Sequence, residues 1–307
     1  MQRRDLLLTA AAATVAVAAG TTAKATDNKA TDNKAADKPP RKIRTRDGVE
    51  LFHLDWGSGK PVVFVSAWGL SSRMWTYQAA HLGSHGVRCI AFDRRGHGRS
   101  DVPGHGYDLD TLADDLATVI EQLDISDIVL VGMSNGANEI LHYIGRHGTS
   151  RISRIVLLAP TTPFVLKTED NPYGAPKEYF EQLWQTWSSD FPKWIEDNKL
   201  PFFTPETSPQ MMQWVADMLR EVPLPVALAT SRAAISTDLR PVLAKIDRPV
   251  LILHGDKDVS APLEITGRRT AAGIKGAVLK VYPGGPHGLF VTHMREVNAD
   301  LLAFIKV

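Results

Sequence analysis

The sequence predicts an α/β fold in which a mostly parallel central sheet is covered by helices on both faces and carries a helical cap insertion. Two observations lead there. Short, nearly continuous apolar runs recur at Val62–Val65, Cys89–Phe92, Ile128–Val131, Ile155–Leu158, Val250–Leu253 and Val278–Val281. Runs this short and this apolar suit strands buried on both faces, as in a parallel sheet. Helical patterns lie between them, and strand alternating with helix calls for a layer of helices on each side of the sheet.

Taken in order, the chain begins with Met1-Gln2-Arg3-Arg4-Asp5, followed by an alanine-rich apolar run from Leu6 to Ala19. A positive start, a short apolar core and the small-residue exit Ala23-Lys24-Ala25 describe a signal peptide over residues 1–25, with Ala16-Val17-Ala18 as a competing cleavage site. The run is short for a transmembrane helix. Arg3-Arg4 suggests a twin-arginine address, against the alternative of a general secretory signal. The expectation is an exported protein, periplasmic or secreted, with no stable membrane span after processing. Residues 26–40 continue a five-residue repeat of small and charged residues that begins at Lys24. With no apolar face to bury, this segment reads as a disordered linker.

The folded part is expected from residue 41, with a core over 41–162 and 237–307. Ile43 to Trp56 reads as a hairpin turning at Asp47-Gly48. Asp110–Leu123 places Leu112, Leu116, Val119, Ile120 and Leu123 on one stripe, with Asp114 and Asp115 toward its positive end. Asn135–His147 and Val291–Lys306 are the other helices the pattern shows. Between residues 163 and 236 the alternation stops. This stretch holds four of the seven tryptophans (Trp184, Trp187, Trp194, Trp214) and no convincing strand, so it reads as a helical cap, or lid, over the sheet. The aromatics there pack the insertion onto the core and also line an apolar pocket.

Composition excludes several function classes. The chain has 307 residues, 44% hydrophobic and 22% charged, as expected of a globular protein. A formal net charge of +1 gives no electrostatic case for nucleic acid or an anionic membrane surface. The single Cys89 sits in an apolar run and reads as a buried structural thiol. Neither an HExxH motif nor clustered Cys/His spacing supports a metal, and no cofactor is expected.

The chemistry is concentrated around Gly132-Met133-Ser134-Asn135-Gly136. A G-x-S-x-G motif with a strand before it and a helix after it has the setting of a nucleophile elbow. Serine needs a base to take its proton, and the base needs an orienting acid, in the chain order Ser, acid, His. The run Val250–Leu253 ends in His254-Gly255-Asp256-Lys257-Asp258, and Val278–Val281 leads to Tyr282-Pro283-Gly284-Gly285-Pro286-His287-Gly288. Of the ten histidines, His287 has the right position, in a Gly/Pro-rich loop directly after a late strand. His254 also follows a strand, but its place at the strand's end reads as structural. Asp256 and Asp258 compete for the acid. The first suits turn hydrogen bonds, and Asp258, further along the loop, is assigned. A calcium loop starting at Asp256 fails, because Gly is missing at its sixth position and the twelfth is Gly267. Oxyanion donors are expected from the backbone N–H of Asn135, after the nucleophile, and of Trp68 in the loop Ser66-Ala67-Trp68-Gly69.

These residues resemble the α/β-hydrolase superfamily. The quoted motifs, with Asp93-Arg94-Arg95-Gly96-His97-Gly98-Arg99-Ser100 and Leu158-Ala159-Pro160, are similar to those of its cofactor-free bacterial haloperoxidases, also called perhydrolases or arylesterases. Pro262-Leu263-Glu264-Ile265-Thr266-Gly267 extends the likeness, which runs from about residue 42 to the end. The resemblance implies a metal-free Ser134/Asp258/His287 enzyme with esterase activity. It implies peracid formation and halide oxidation as side reactions of the same acyl-enzyme, and a structural role for Asp93–Ser100. Two positions depart from the family pattern. Ser66-Ala67 stands where the family usually has His-Gly, and Asn135 where it often has Met. Backbone donation survives both changes, whereas the pocket floor alters, so peroxide-dependent activity does not follow from the likeness. The expectation is a serine hydrolase cleaving a small carboxylic ester, aryl or lactone. The alternatives are a perhydrolase or C–C bond hydrolase on the same triad, and a non-catalytic protein that uses the pocket to hold a ligand.

Overall fold

The computed structural model describes residues 42–306, so the expected signal peptide and linker lie outside the described residues. The strands are β1 (Lys42–Arg44), β2 (Glu50–Trp56), β3 (Lys60–Val65), β4 (Val87–Phe92), β5 (Ile128–Met133), β6 (Ile152–Leu158), β7 (Val250–Gly255) and β8 (Val278–Tyr282). The helices are α1 (Thr76–Ser84), α2 (Leu109–Gln122), α3 (Asn135–His147), α4 (Lys177–Asn198), α5 (Pro209–Arg220), α6 (Leu224–Ser236), α7 (Arg240–Leu243), α8 (Gly267–Gly273), α9 (Leu289–Thr292) and α10 (Met294–Lys306). The strands form one eight-stranded sheet in the order β1-β2-β4-β3-β5-β6-β7-β8. β1 and β2 pair antiparallel, as do β2 and β4, and every other pairing is parallel. The predicted fold class is the observed one.

Period-two alternation divides the central strands between two cores. Val63, Val65, Ile90, Leu130, Ile155 and Ile252 face a layer that includes Leu116 and Ile120 of α2 and Ile140 of α3. Val62, Phe64, Cys89, Val131, Val156 and Leu253 face Leu82 of α1 and Val297 and Leu301 of α10. Both faces are therefore dry, which is why these strands read as unbroken apolar runs. Each fully buried Leu, Ile or Val contributes about 1.5–3 kcal/mol relative to exposure.

Some local expectations shift. The first acidic cap of α2 is Asp108, whose side chain accepts from Thr111 N–H. Asp115 does not lie at that end of the helix; it is buried and paired with Arg95 at 2.6 Å. Val291–Lys306 is not one helix, because the backbone leaves helical geometry at His293 between α9 and α10. The insertion contains α4, α5 and α6 with a 3₁₀ turn at Leu200–Phe202. α4 bends at Asp190, two residues before Pro192, and Asp190 restarts it as a cap for Lys193 N–H at 2.9 Å.

Candidate active site

β5 delivers Ser134 at a sharp turn into α3. The serine has φ 53° and ψ −117°, a backbone conformation that L-residues adopt only under constraint. Its N–H is held by the Leu158 carbonyl at 2.9 Å, and its own carbonyl accepts from Ala137 N–H at 3.0 Å. The turn works because Gly136 has no side chain. A Cβ there would come within 2.3 Å of the Val65 carbonyl oxygen at the end of β3.

Two loops at neighbouring strand ends meet this serine. The loop after β7 carries Asp258, and the loop after β8 carries His287. They are stitched together by Lys257 N–H to Gly285 O at 2.9 Å and by Gly284 N–H to the Asp256 carboxylate at 2.7 Å. Asp256 thus ties the loops together. Gly255 permits the crossing, since a Cβ there would lie 1.9 Å from the Gly285 carbonyl oxygen. His287 Nδ1–H donates to Asp258 Oδ2 at 2.7 Å, and Ser134 Oγ–H donates to His287 Nε2 at 2.9 Å. All three side chains are buried. The structure therefore brings together Ser134, Asp258 and His287 from three distant parts of the chain.

Asp258 is further held by backbone N–H groups of Ser260 and Ala261, which donate to Oδ1 at 2.9 and 2.7 Å. Its burial would push the carboxyl up. The facing His287 imidazole, the hydrogen bonds from His254 and His287 and the Ala261 N–H outweigh that and hold it well below the usual carboxylate range. His254 is a contact that the sequence reading treats as structural only. It is fully buried, donates Nε2–H to the Ala261 carbonyl at 2.8 Å, and lies 3.3 Å from Asp258 Oδ2. Its i, i+4 spacing from Asp258 is the signal that could have revealed it.

The remaining site residues lie at the edge of the same turn. Asn135 is the first residue of α3, directly after Ser134. Trp68 follows the end of β3, where Val65 and Ser66 lie against Gly136. Its indole reaches into the insertion, stacking on Trp187 with centroids 4.5 Å apart and donating Nε1–H to the Ala227 carbonyl of α6 at 3.0 Å. The Phe202 ring, also from the insertion, meets His287 edge-on at 5.5 Å.

Beneath the turn, two buried charges pair where the sequence offers no local clue. Arg94, in the loop after β4, contacts Glu139 of α3 through Nε at 2.6 Å and donates Nη2–H to the Ser66 carbonyl at 2.8 Å. Burial pushes the Glu139 carboxyl up, and Arg94 opposes the shift. Among the described residues no His, Cys, Asp and Glu are grouped so as to hold a metal ion.

The family model for the alpha/beta hydrolase fold matches residues 60–294. The chain is 38% identical over 271 residues to a non-heme chloroperoxidase of Kitasatospora aureofaciens, covering 85% of this chain and 98% of that one. It is 37% identical to a bifunctional esterase/perhydrolase of Acinetobacter calcoaceticus, covering 86% of this chain and 99% of the relative. Among solved structures, a bromoperoxidase from Bacillus anthracis superposes with a TM-score of 0.83 at 34% identity, over 87% of this chain and 99% of that one. An esterase from Exiguobacterium antarcticum gives 0.84 at 31%, with the same coverage. The strand order, the buried serine turn and these likenesses agree, and the chain belongs to the α/β-hydrolase family, alongside the non-heme haloperoxidases.

Proposed function

We propose that this protein is a serine hydrolase that cleaves small carboxylic esters through an acyl-enzyme on Ser134. One observation carries the reading: His287 bridges Ser134 and Asp258 with 2.9 and 2.7 Å hydrogen bonds inside a buried site. Ser134 Oγ attacks the ester carbonyl carbon while His287 Nε2 takes its proton. Asp258 keeps the other imidazole proton on Nδ1, which fixes the tautomer and steadies the imidazolium. The carbonyl oxygen becomes an anion, bound by the backbone N–H groups of Trp68 and Asn135. Collapse breaks the C–O bond, and His287 returns the proton to the leaving alcohol. Water then attacks the acyl carbon with His287 again as base, releasing the carboxylic acid and restoring Ser134. Aryl esters or lactones suit the aromatic Phe202 ring that meets His287.

The test compares the purified protein with Ser134→Ala, using a fluorophosphonate probe and p-nitrophenyl acetate. Wild-type protein is expected to label and turn over, and the variant to lose labelling and at least about 10³-fold in kcat. Equal labelling of both proteins, or no turnover by either, would overturn the proposal. The identity to the esterase/perhydrolase also favours a second reading, in which hydrogen peroxide replaces water in deacylation and releases a peracid. Peroxide-dependent bromination in acetate, lost in Ser134→Ala, would support it. A wild-type rate without bromination would exclude it.

A further inference from the structure

We infer that the buried Arg94–Glu139 pair is a positioning device that holds the two oxyanion-donor segments at a fixed spacing. The inference rests on the hydrolase reading, since it assigns Trp68 and Asn135 their amide roles. Arg94 is 3% exposed and Glu139 is fully buried. The guanidinium places Nε and Nη2 at 2.6 and 2.5 Å from Glu139 Oε1, while Nη2 also reaches the Ser66 carbonyl. Ser66 stands two residues before Trp68, so this bond fixes the strand exit from which the Trp68 amide is presented. Glu139 stands one helical turn after Asn135, and the Asn135 side-chain Nδ2–H donates to the same Oε1 at 3.3 Å. A single guanidinium from a third segment therefore grips both donor-bearing segments.

The chemistry suits positioning better than stabilisation. A buried ion pair can often be exchanged for well-packed apolar residues with little or no loss of stability, so its presence is weak evidence of a stabilising role. A guanidinium is permanently charged and offers its donors in a rigid plane, which suits a gauge between the Ser66 carbonyl and the Glu139 carboxylate. Oxyanion donors act through geometry, and misplacement by about 1 Å can cost about 10²-fold in rate.

The test uses the purified protein carrying Arg94→Met together with Glu139→Leu, which leaves no unpaired charge, and separately Arg94→Lys. Measurements are thermal stability, kcat and KM on p-nitrophenyl acetate, the pH–rate profile, and Ki for a trifluoromethyl ketone whose adduct places an oxyanion in the hole. For the double variant, kcat is expected to fall about 10- to 100-fold with KM changed less than about threefold. Ki should rise by a similar factor, and the shape of the pH profile should stay the same. Arg94→Lys, which keeps the charge without the fork, should fall between. A folded double variant with wild-type kcat, or with reduced kcat and unchanged Ki, would overturn the inference. If the double variant does not fold, wild-type kcat and Ki in Arg94→Lys overturn it, and a matched loss in both supports it. Ser134→Ala separates the two readings. Turnover retained there brings down the hydrolase proposal and the positioning role with it. Its loss beside a wild-type double variant brings down the positioning role alone.

Discussion

Asp258 shares its two oxygens among Ser260 N–H, Ala261 N–H, His287 and His254. Because its folded pKa is depressed, its contribution to stability is in place above about pH 4 and is lost only in stronger acid. His97 behaves differently and acts at milder pH. It is buried with Nδ1–H donated to the Arg95 carbonyl at 3.1 Å. Burial and the nearby Arg94 push its pKa from 6.5 down to about 3. Between those values the unfolded chain binds a proton that the folded chain refuses, so stability rises with pH. Acidification from about pH 6.5 towards 3 should therefore cost up to about 1.4 kcal/mol per pH unit from this residue. His97→Gln should flatten that part of the stability curve in urea titrations. An identical slope in the variant would show that His97 takes up its proton in the folded state.

At the scale of elements, the turn between β5 and α3 sets the site, and it depends on contact with β3. Gly136→Ala would press a methyl group onto the Val65 carbonyl. A loss of about 1–3 kcal/mol in unfolding free energy is expected, with a further fall in kcat because the Ser66 and Asn135 segments are forced apart. Unchanged Tm and kcat would contradict that account. The central strands were legible in the sequence because helices cover both sheet faces, leaving no polar alternation to confuse the pattern. α3 was legible because Ile140, Leu141 and Ile144 recur at helical spacing directly after the elbow. α1 and α8 were not. α1 buries only Gln78, Ala79 and Leu82, and α8 is a seven-residue segment bounded by glycines that buries only Gly267 and Thr270. Neither offers an apolar period to read.

Across the whole molecule, Ser134, Asp258 and His287 could be found because each stands at the end of an apolar strand, in a chain order that reports spatial neighbourhood. The Arg94–Glu139 pair could not, since no chain-order pattern links the two residues and only the fold brings them together. The same limit hid Trp68's attachment to Ala227, 159 residues away. The N-terminal reading belongs at this scale too. We propose export by the twin-arginine route, supported by Arg3-Arg4 and the apolar run that follows. Replacing both arginines with lysine should leave the full-length precursor inside the cell, as seen by fractionation and N-terminal sequencing. Normal processing of that variant would refute the route.

Trp68 has one backbone in the donor loop and one indole in the insertion. Its stacking on Trp187 and its bond to Ala227 tie the loop after β3 to α4 and α6. Changes in α4 or α6 are transmitted through these contacts to the loop that, under the proposed function, presents the Trp68 amide. Swapping the insertion between relatives should therefore carry a catalytic penalty unless Trp68 and its partners are swapped with it.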